Sequence, residues 1–378
     1  MKLILSTDAL RPPLTGIGWY VHELATRLQK RAAQTDTRAQ VTVNQLKYCD
    51  GKSVVESLAG SADDVHRVRF WPSMPMRSQV TRVVGEWRRH RCSRQLNQLT
   101  DWLCHAPNYV LPRTSVPQKN VVTVHDLSVF RYPHLHPPER VAFMQHHLPR
   151  SVANAARVIV ASQASASEVI EHFGIDESMV RIIPFGVRSV FLTQPDTSPR
   201  LPLELRDRPF LLFVNGADPR KNLADTLQAF AKFAQHHVED DWRLAVTGDQ
   251  SALAHLSKLQ NVVRLGYPSD AELAALYRAS QGLCYPSRYE GFGLPVIEAL
   301  ASGIPVLTSR TPTLLEFAGL PGVVTPAEDS VEGLLQGMQD LTSASVRQAA
   351  MSNQQATQDQ FSWDRCVDRT VACYQELA

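Results

Sequence analysis

Short apolar runs alternate with helical segments through both halves of the chain, and this alternation does most to narrow the folds open to it. Leu3 to Ser6, Val41 to Gln45, Val65 to Phe70, Trp102 to Ala106, Val121 to Val124 and Val158 to Ala161 read as strands of a first half. Phe210 to Val214, Leu244 to Thr247, Val262 to Leu265, Leu283 to Tyr285 and Val306 to Thr308 repeat the pattern in a second. Strands this apolar, separated by helical stretches, belong to parallel sheets covered on both faces. Helices are expected to begin near Gly18, Ser78 and Ser165, each after a polar or glycine turn. Between Leu192 and Pro209, prolines at 195, 199, 202 and 209 break every periodicity, as a linker does. The expectation is an α/β protein of two doubly wound, Rossmann-like domains, residues 1–191 and 210–360, joined by 192–209. At 378 residues the chain is too long for one ordinary core. Residues 361–378 read as a last helix with Trp363, Val367, Val371 and Tyr374 on one stripe.

Charge and cysteine usage exclude some partners. With 39 Lys plus Arg against 37 Asp plus Glu, the chain has no general attraction for nucleic acid. The six cysteines, at 49, 92, 104, 284, 366 and 373, form no C-x-x-C pair, and several lie inside apolar runs. That is the pattern of reduced, buried thiols in a cytoplasmic protein, and it argues against zinc. The start MKLILSTDAL has too short an apolar run for a signal peptide core or a membrane span and reads as a first buried strand.

The stretch Pro286 to Leu307, PSRYEGFGLPVIEALASGIPVL, carries the most chemistry. Glu290 precedes the turn Gly291-Phe292-Gly293, and Glu298 lies about one and a half turns into the helical segment that follows. A strand, a glycine turn and a helix in that order aim backbone N–H groups at an anion, and glycines let the ligand approach the backbone closely. Carboxylates beside such a site are poor phosphate ligands but good acceptors for hydroxyl groups. A ligand with both phosphate and sugar hydroxyls, a nucleotide sugar, satisfies both requirements.

The run Glu290-Gly291-Phe292-Gly293-Leu294-Pro295, with Glu298 in the segment Glu298-Ala299-Leu300-Ala301-Ser302-Gly303, resembles the signature of retaining glycosyltransferase family 4. That resemblance implies the GT-B fold, in which two Rossmann-like domains face each other across a cleft and the last helix crosses back to the first domain. It also implies roles: Glu298 holds the donor ribose, Glu290 faces the transferred hexose, and Gly291, Phe292, Gly293 and Leu294 line the donor. Val214 to Asn222, VNGADPRKN, is similar to the family segment in which a lysine, here Lys221, contacts the donor diphosphate. A fixed cation suits that place because the leaving nucleoside diphosphate gains negative charge as the glycosidic bond breaks. The resemblance also implies an arginine a few residues before that lysine, near Gly216 here; either Arg220 replaces it or the site relies on Lys221 and amides alone.

Two further constellations belong to the first half. Thr15-Gly16-Ile17-Gly18 follows the first strand and opens a helix, so Gly16 and Gly18 are candidate donor contacts, although the arginine that family members often carry after this turn is Trp19 here. Val122-Thr123-Val124-His125-Asp126 is a strand ending in a His-Asp pair that the family places beside the transferred sugar, making His125 a catalytic candidate with Lys221 and Glu290. Asn108, Tyr109 and Asp126 are candidates for the acceptor side. His134, His136, His146 and His147 lack the accompanying ligands of a metal site, and no D-x-D motif is present.

The activity implied by the resemblance is transfer of a hexose, with retention and without a metal or other cofactor, by same-face attack in which the departing phosphate oxygen takes the acceptor proton. Cys104 to Tyr109 and the D-P-R-K-N variant are similar to bacterial mannosyl- and deoxyhexosyltransferases of O-antigen assembly. A GDP-linked mannose or 6-deoxyhexose such as rhamnose is therefore the expected donor, with UDP-sugars as the alternative, and the expected acceptor is a lipid-linked oligosaccharide at the inner face of the cytoplasmic membrane. A sugar-phosphate phosphorylase or epimerase on the same fold, or a silent binding protein, is the competing reading. Arg77 to Arg94 holds six arginines against the single acid Glu86, with Val80, Val83, Val84 and Trp87 as an apolar stripe. Such a basic amphipathic helix is expected to bind an anionic membrane surface peripherally.

Overall fold

When helices cover both faces of a parallel sheet, the central strands must be apolar throughout, and the first strand of each half obeys that rule: Leu3–Leu5 and Phe210–Phe213 are buried at every position. The computed structural model describes residues 3–6, 9–10, 14–34, 44–49, 52–57, 103–111, 119–193, 201–249 and 251–378. The chain divides into two units, Met1–Pro184 with Trp363–Ala378, and Phe185–Ser362.

The first unit is built on β1 (Leu3–Leu5), β2 (Asn44–Cys49), β3 (Lys52–Ser57), β4 (Leu103–Ala106), β5 (Asn120–Thr123), β6 (Arg157–Val160) and β7 (Val180–Ile182), in the order β3-β2-β1-β4-β5-β6-β7. All neighbours run parallel except β2 and β3, which form an antiparallel pair. The run expected at Val41 to Gln45 is a strand from Asn44, and its partner β3 was not foreseen. The strand expected at 65–70 and the helix expected from Ser78 lie outside the described residues.

The terminal helix Trp363–Gln375 belongs to this first unit. Its buried positions are Trp363, Cys366, Val367, Thr370, Cys373 and Tyr374. Val371, expected on that stripe, is only half-buried, because the helical period places the contact line through Thr370 and Tyr374 instead. Arg31 pairs with Asp368 at 2.6 Å, and Arg157 reaches Glu376 at 2.9 Å. Both Arg31 and Arg157 belong to elements packed beside the helix, so charge as well as apolar area holds it in place.

The second unit carries β8 (Phe210–Phe213), β9 (Arg243–Thr247), β10 (Val262–Gly266), β11 (Gly282–Cys284), β12 (Val306–Leu307) and β13 (Val323–Val324), in the order β10-β9-β8-β11-β12-β13. Every pairing is parallel. Numbered from β8, this is the 3-2-1-4-5-6 order of a dinucleotide-binding sheet, whose direction of winding reverses between β8 and β11. The helix Leu223–His236 seals one face with Leu223, Ala229, Phe230 and Phe233. The division between units falls upstream of the proline-rich 192–209 segment: the Phe191 ring meets Tyr277 edge-on with centroids 5.3 Å apart, within the second unit.

Candidate active site

Reversal of the winding leaves a crevice outside the carboxyl ends of β8 and β11, and the loops after those two strands hold the expected acid and lysine. After β8 the chain makes a short turn, Pro219–Lys221, whose first amide bonds go to Asp218, and then passes through Asn222 in a left-handed conformation into the helix Leu223–His236. After β11 come Tyr285 and the loop to Glu290. Lys221 Nζ donates to Tyr285 Oη at 2.7 Å and to Glu290 Oε1 at 2.5 Å, and Tyr285 Oη donates to the same Glu290 oxygen at 2.7 Å. The ammonium also lies 4.8 Å from the centre of the Tyr285 ring. Burial, and then the Glu290 charge, raise the Tyr285 phenol well above its ordinary value, so it stays a neutral donor. Thr313 Oγ1 holds the Glu290 carbonyl at 2.7 Å, which fixes the backbone from which that carboxylate projects.

The glycine turn then enters the helix Leu294–Ala301. Gly293 has φ 114°, a conformation that side-chain-bearing residues rarely adopt, and a Cβ there would stand 3.1 Å from Leu314 Cδ2. The Phe292 side chain faces inward. Its ring is buried among Phe185, Phe317 and Phe361, with centroids 5.4, 5.7 and 6.2 Å away, so it anchors the turn from beneath. One helical turn on, Glu298 is 6% exposed. Arg188 grips its Oε1 through Nε at 3.2 Å and Nη2 at 3.1 Å, while Tyr277 Oη donates to Oε2 at 3.3 Å. Burial raises the Glu298 carboxyl above its ordinary range, against the opposing charge and hydrogen bonds of Arg188.

Gly216, near which the resemblance implies an arginine, has no room for a side chain. A Cβ on Gly216 would lie 2.6 Å from Val246 Cγ1 and 3.1 Å from Leu223 Cδ2, because the loop after β8 packs directly against β9. Arg220 is not a free replacement either. Its guanidinium is bound by Asp218 through Nε at 3.1 Å and Nη2 at 2.7 Å. The cation that stands with the two glutamates in this unit's site is therefore Lys221, with Arg188 beside the second.

In the first unit the expected residues are drawn together around β4 and β5. His125 is buried, and its Nε2–H donates to the Pro107 carbonyl at 2.8 Å, tying the loop after β5 to the loop after β4. Burial pulls its imidazole down to about 4, against that hydrogen bond and the charge of Asp126, so the ring is neutral at physiological pH. Tyr20 and Tyr109 flank it edge-on, each with centroids 5.3 Å away. Tyr109, at φ 64°, is a buried wall of this pocket rather than an exposed acceptor contact. Asp126 accepts from the Ser128 amide at 2.9 Å and so starts the short helix Ser128–Arg131. Asn108 forms the turn beneath, its carbonyl accepting from Val110 at 2.7 Å. Gly16 begins the helix Gly16–Gln34, and Gly18 N–H donates to Thr15 Oγ1 at 3.3 Å. Under His125 runs a buried chain: Tyr374 Oη to His105 Nδ1 at 2.6 Å, His105 Nε2 to Thr123 Oγ1 at 2.9 Å, and Thr123 Oγ1 to Tyr20 Oη at 3.1 Å.

Sequence reasoning missed Tyr285 and Arg188. Tyr285 ends an apolar run and reads as a core residue; only its register, one residue past β11, signals that its hydroxyl reaches the strand-end crevice. Arg188 is separated from Glu298 by most of the second unit, and no local pattern links them. Among the described residues no cluster of ligands that could hold a metal ion is found, and no helix is long and apolar enough to cross a membrane. The arginine-rich segment 77–94 lies outside the described residues.

Two Rossmann-like units, the second with paired glutamates and a lysine at its strand-order reversal, define a GT-B architecture. Family models agree in both units: one described as Glycosyltransferase Family 4 matches residues 14–189, and one described as Glycosyl transferases group 1 matches residues 199–358. The chain belongs to this glycosyltransferase family. It is 29% identical over its full length, and over the full length of the relative, to the O-antigen chain mannosyltransferase B of Escherichia coli. Over 62% of this chain and 56% of the other it is 31% identical to the MMP alpha-(1->4)-mannosyltransferase of Mycolicibacterium hassiacum. The sucrose-phosphate synthase of Thermosynechococcus elongatus shares the fold, with a TM-score of 0.66 at 18% identity, covering 100% of this chain and 99% of that one.

Proposed function

We propose that the protein moves mannose, or a 6-deoxyhexose such as rhamnose, from a GDP-sugar to a hydroxyl of a lipid-linked oligosaccharide during assembly of a bacterial surface polysaccharide. The observation that carries this reading is the set of Lys221, Tyr285, Glu290 and Glu298 at one end of one parallel sheet, on the loops and helix where such sheets bind nucleotides. The full-length similarity to a protein named as a mannosyltransferase supports the choice of hexose.

In this account Lys221 neutralises the diphosphate. Its ammonium keeps a donor direction beyond the two used by Tyr285 and Glu290. As the glycosidic bond breaks, charge grows on the leaving phosphate and the attraction to Lys221 strengthens, which lowers the barrier rather than merely tightening the ground state. Glu290 then faces the positive charge that develops on the hexose ring. The acceptor hydroxyl attacks from the face that the leaving group departs, and its proton passes to the departing phosphate oxygen, so configuration is retained. Leaving-group charge is met by Lys221 and backbone amides, and no divalent metal is assigned. Glu298 accepts from the ribose. His125, neutral and clamped through Nε2, orients a sugar hydroxyl instead of carrying charge. The arginines of 77–94 bring the enzyme to the anionic membrane that holds its acceptor.

A thermal-shift panel with GDP, UDP, ADP and dTDP tests the donor. GDP at a hundred times its Kd should stabilise by about 2.7 kcal/mol, with the others weaker. Stabilisation by UDP alone would replace the guanine nucleotide by uridine, and no shift with any would refute the nucleotide-sugar reading.

A further inference from the structure

Arg188 lies just before the short helix Ser189–Leu192, and its guanidinium joins two other elements of the same unit. Nε and Nη2 both donate to Glu298 Oε1, and Nη1 donates to Asp270 Oδ1 at 2.5 Å. Its carbon Cζ lies 4.7 Å from the centre of the Phe191 ring, so packing and three hydrogen bonds leave the planar group little freedom. With Oε1 taken twice by Arg188, the remaining acceptor capacity of Glu298 is on Oε2, which faces only the longer bond from Tyr277. We propose that Arg188 is a positioning residue for the nucleotide: it turns and locks Glu298 so that Oε2 is presented to a ribose hydroxyl. This inference rests on the reading of Glu298 as the ribose carboxylate.

Electrostatics point the same way. The charged and titratable groups that face Glu298 are Arg188, Tyr277 from the helix Asp270–Ala279, and Asp270 at the start of that helix. Burial and Asp270 both push the Glu298 carboxyl towards its protonated form, and Arg188 is the one cation among those groups that opposes them. Without it, the buried Glu298 would keep burial and the half-exposed Asp270 with no cation opposing them, and its carboxyl would be pushed further towards the protonated form. A protonated carboxyl is a poorer acceptor for ribose, so affinity would then depend on pH, improving as pH rises and Glu298 ionises. Loss of a merely structural arginine would weaken binding equally at every pH.

The test is calorimetric titration of the full chain with GDP and, in parallel, UDP, between about pH 6 and 9. Glu298→Gln should raise Kd about tenfold or more with no pH dependence. Arg188→Met should raise Kd about tenfold at neutral pH and recover much of that loss by the alkaline end, while Arg188→Lys should show a smaller loss and a shallower pH response. Wild-type affinity in both Arg188 variants, or a loss that is flat in pH, would overturn the positioning role. If Arg188→Met fails to fold, the Arg188→Lys pH response decides the same question. Unchanged affinity in Glu298→Gln would instead remove the ribose assignment, and the inference with it.

Discussion

The two units place polar groups at equivalent ends of similar sheets, yet their chemistry is opposite. In the first, His125 and His105 are buried and uncharged, linked to carbonyl and hydroxyl oxygens and framed by Tyr20, Tyr109 and Tyr374. In the second, each glutamate is matched to a cation, Glu290 to Lys221 and Glu298 to Arg188. A neutral, aromatic-walled site suits a ligand that offers hydroxyls and apolar ring faces, which is what a sugar presents. A site of paired charges suits a ligand that brings its own charge and rearranges the pairs. Under the proposed function, the same architecture would serve two recognition problems through the sign and pairing of a few side chains.

The largest expected effect that could break this contrast is at Lys221. Lys221→Ala should lower kcat by roughly 10²- to 10³-fold with a smaller change in KM, because the charge it meets grows in the transition state. It should also lower stability, since the partly buried Glu290 loses its cation and keeps only the Tyr285 hydroxyl as a side-chain donor. The double variant Lys221→Met with Glu290→Gln should recover much of the melting temperature and none of the activity; recovery of both would reduce the pair to scaffolding. Next in size, Gly216→Ala should cost about 1–3 kcal/mol in denaturant titration, given the 2.6 Å approach to Val246. An unchanged midpoint would show that the loop after β8 can shift, and would reopen that position to a donor contact.

The neutral histidines predict a pH response of definite sign. Burial holds His125 at about 4 and His105 at about 3, both below the ordinary 6.5. The unfolded chain therefore binds more protons than the folded one below pH 6.5, and the stability these rings confer is present above that value and lost as pH falls towards 4. The free energy of unfolding should drop over that interval, by up to about 1.4 kcal/mol per pH unit for each ring, with the melting temperature falling accordingly, and His105→Gln should flatten the slope. A slope unaffected by that substitution would mean that the ring is charged in the folded protein. The smallest effect is expected from Tyr285→Phe, which removes a donor but keeps the Lys221–Glu290 pair. About 1 kcal/mol in kcat/KM is expected, read from steady-state kinetics.

Much of this was legible in the amino-acid order, because what a parallel sheet demands is local. Apolar runs such as Phe210 to Val214 and Val158 to Ala161 locate strands, and the turn Gly291-Phe292-Gly293 locates a helix start. Partners distant in sequence were not legible. Arg188 meets Glu298, and Tyr374 meets His105, only after the fold is formed. Nor did the sequence reveal that the Phe292 ring, within the candidate turn, turns inward to three other phenylalanines and leaves only its backbone for a ligand. Arg220 carries the right charge for a diphosphate, but Asp218, two positions earlier, already holds it.

The contrast between a charged nucleotide site and a neutral sugar site is tested most directly by titrating free GDP into Glu298→Ala and His125→Ala side by side at neutral pH. Loss of a charged acceptor for ribose, worth about 1.5–3 kcal/mol per hydrogen bond, should raise Kd in Glu298→Ala by roughly tenfold or more. His125→Ala should bind free GDP as the wild type does, since that ligand carries no transferred sugar. Wild-type affinity in Glu298→Ala, or a comparable loss in His125→Ala, would contradict the assignment of the nucleotide to the second unit.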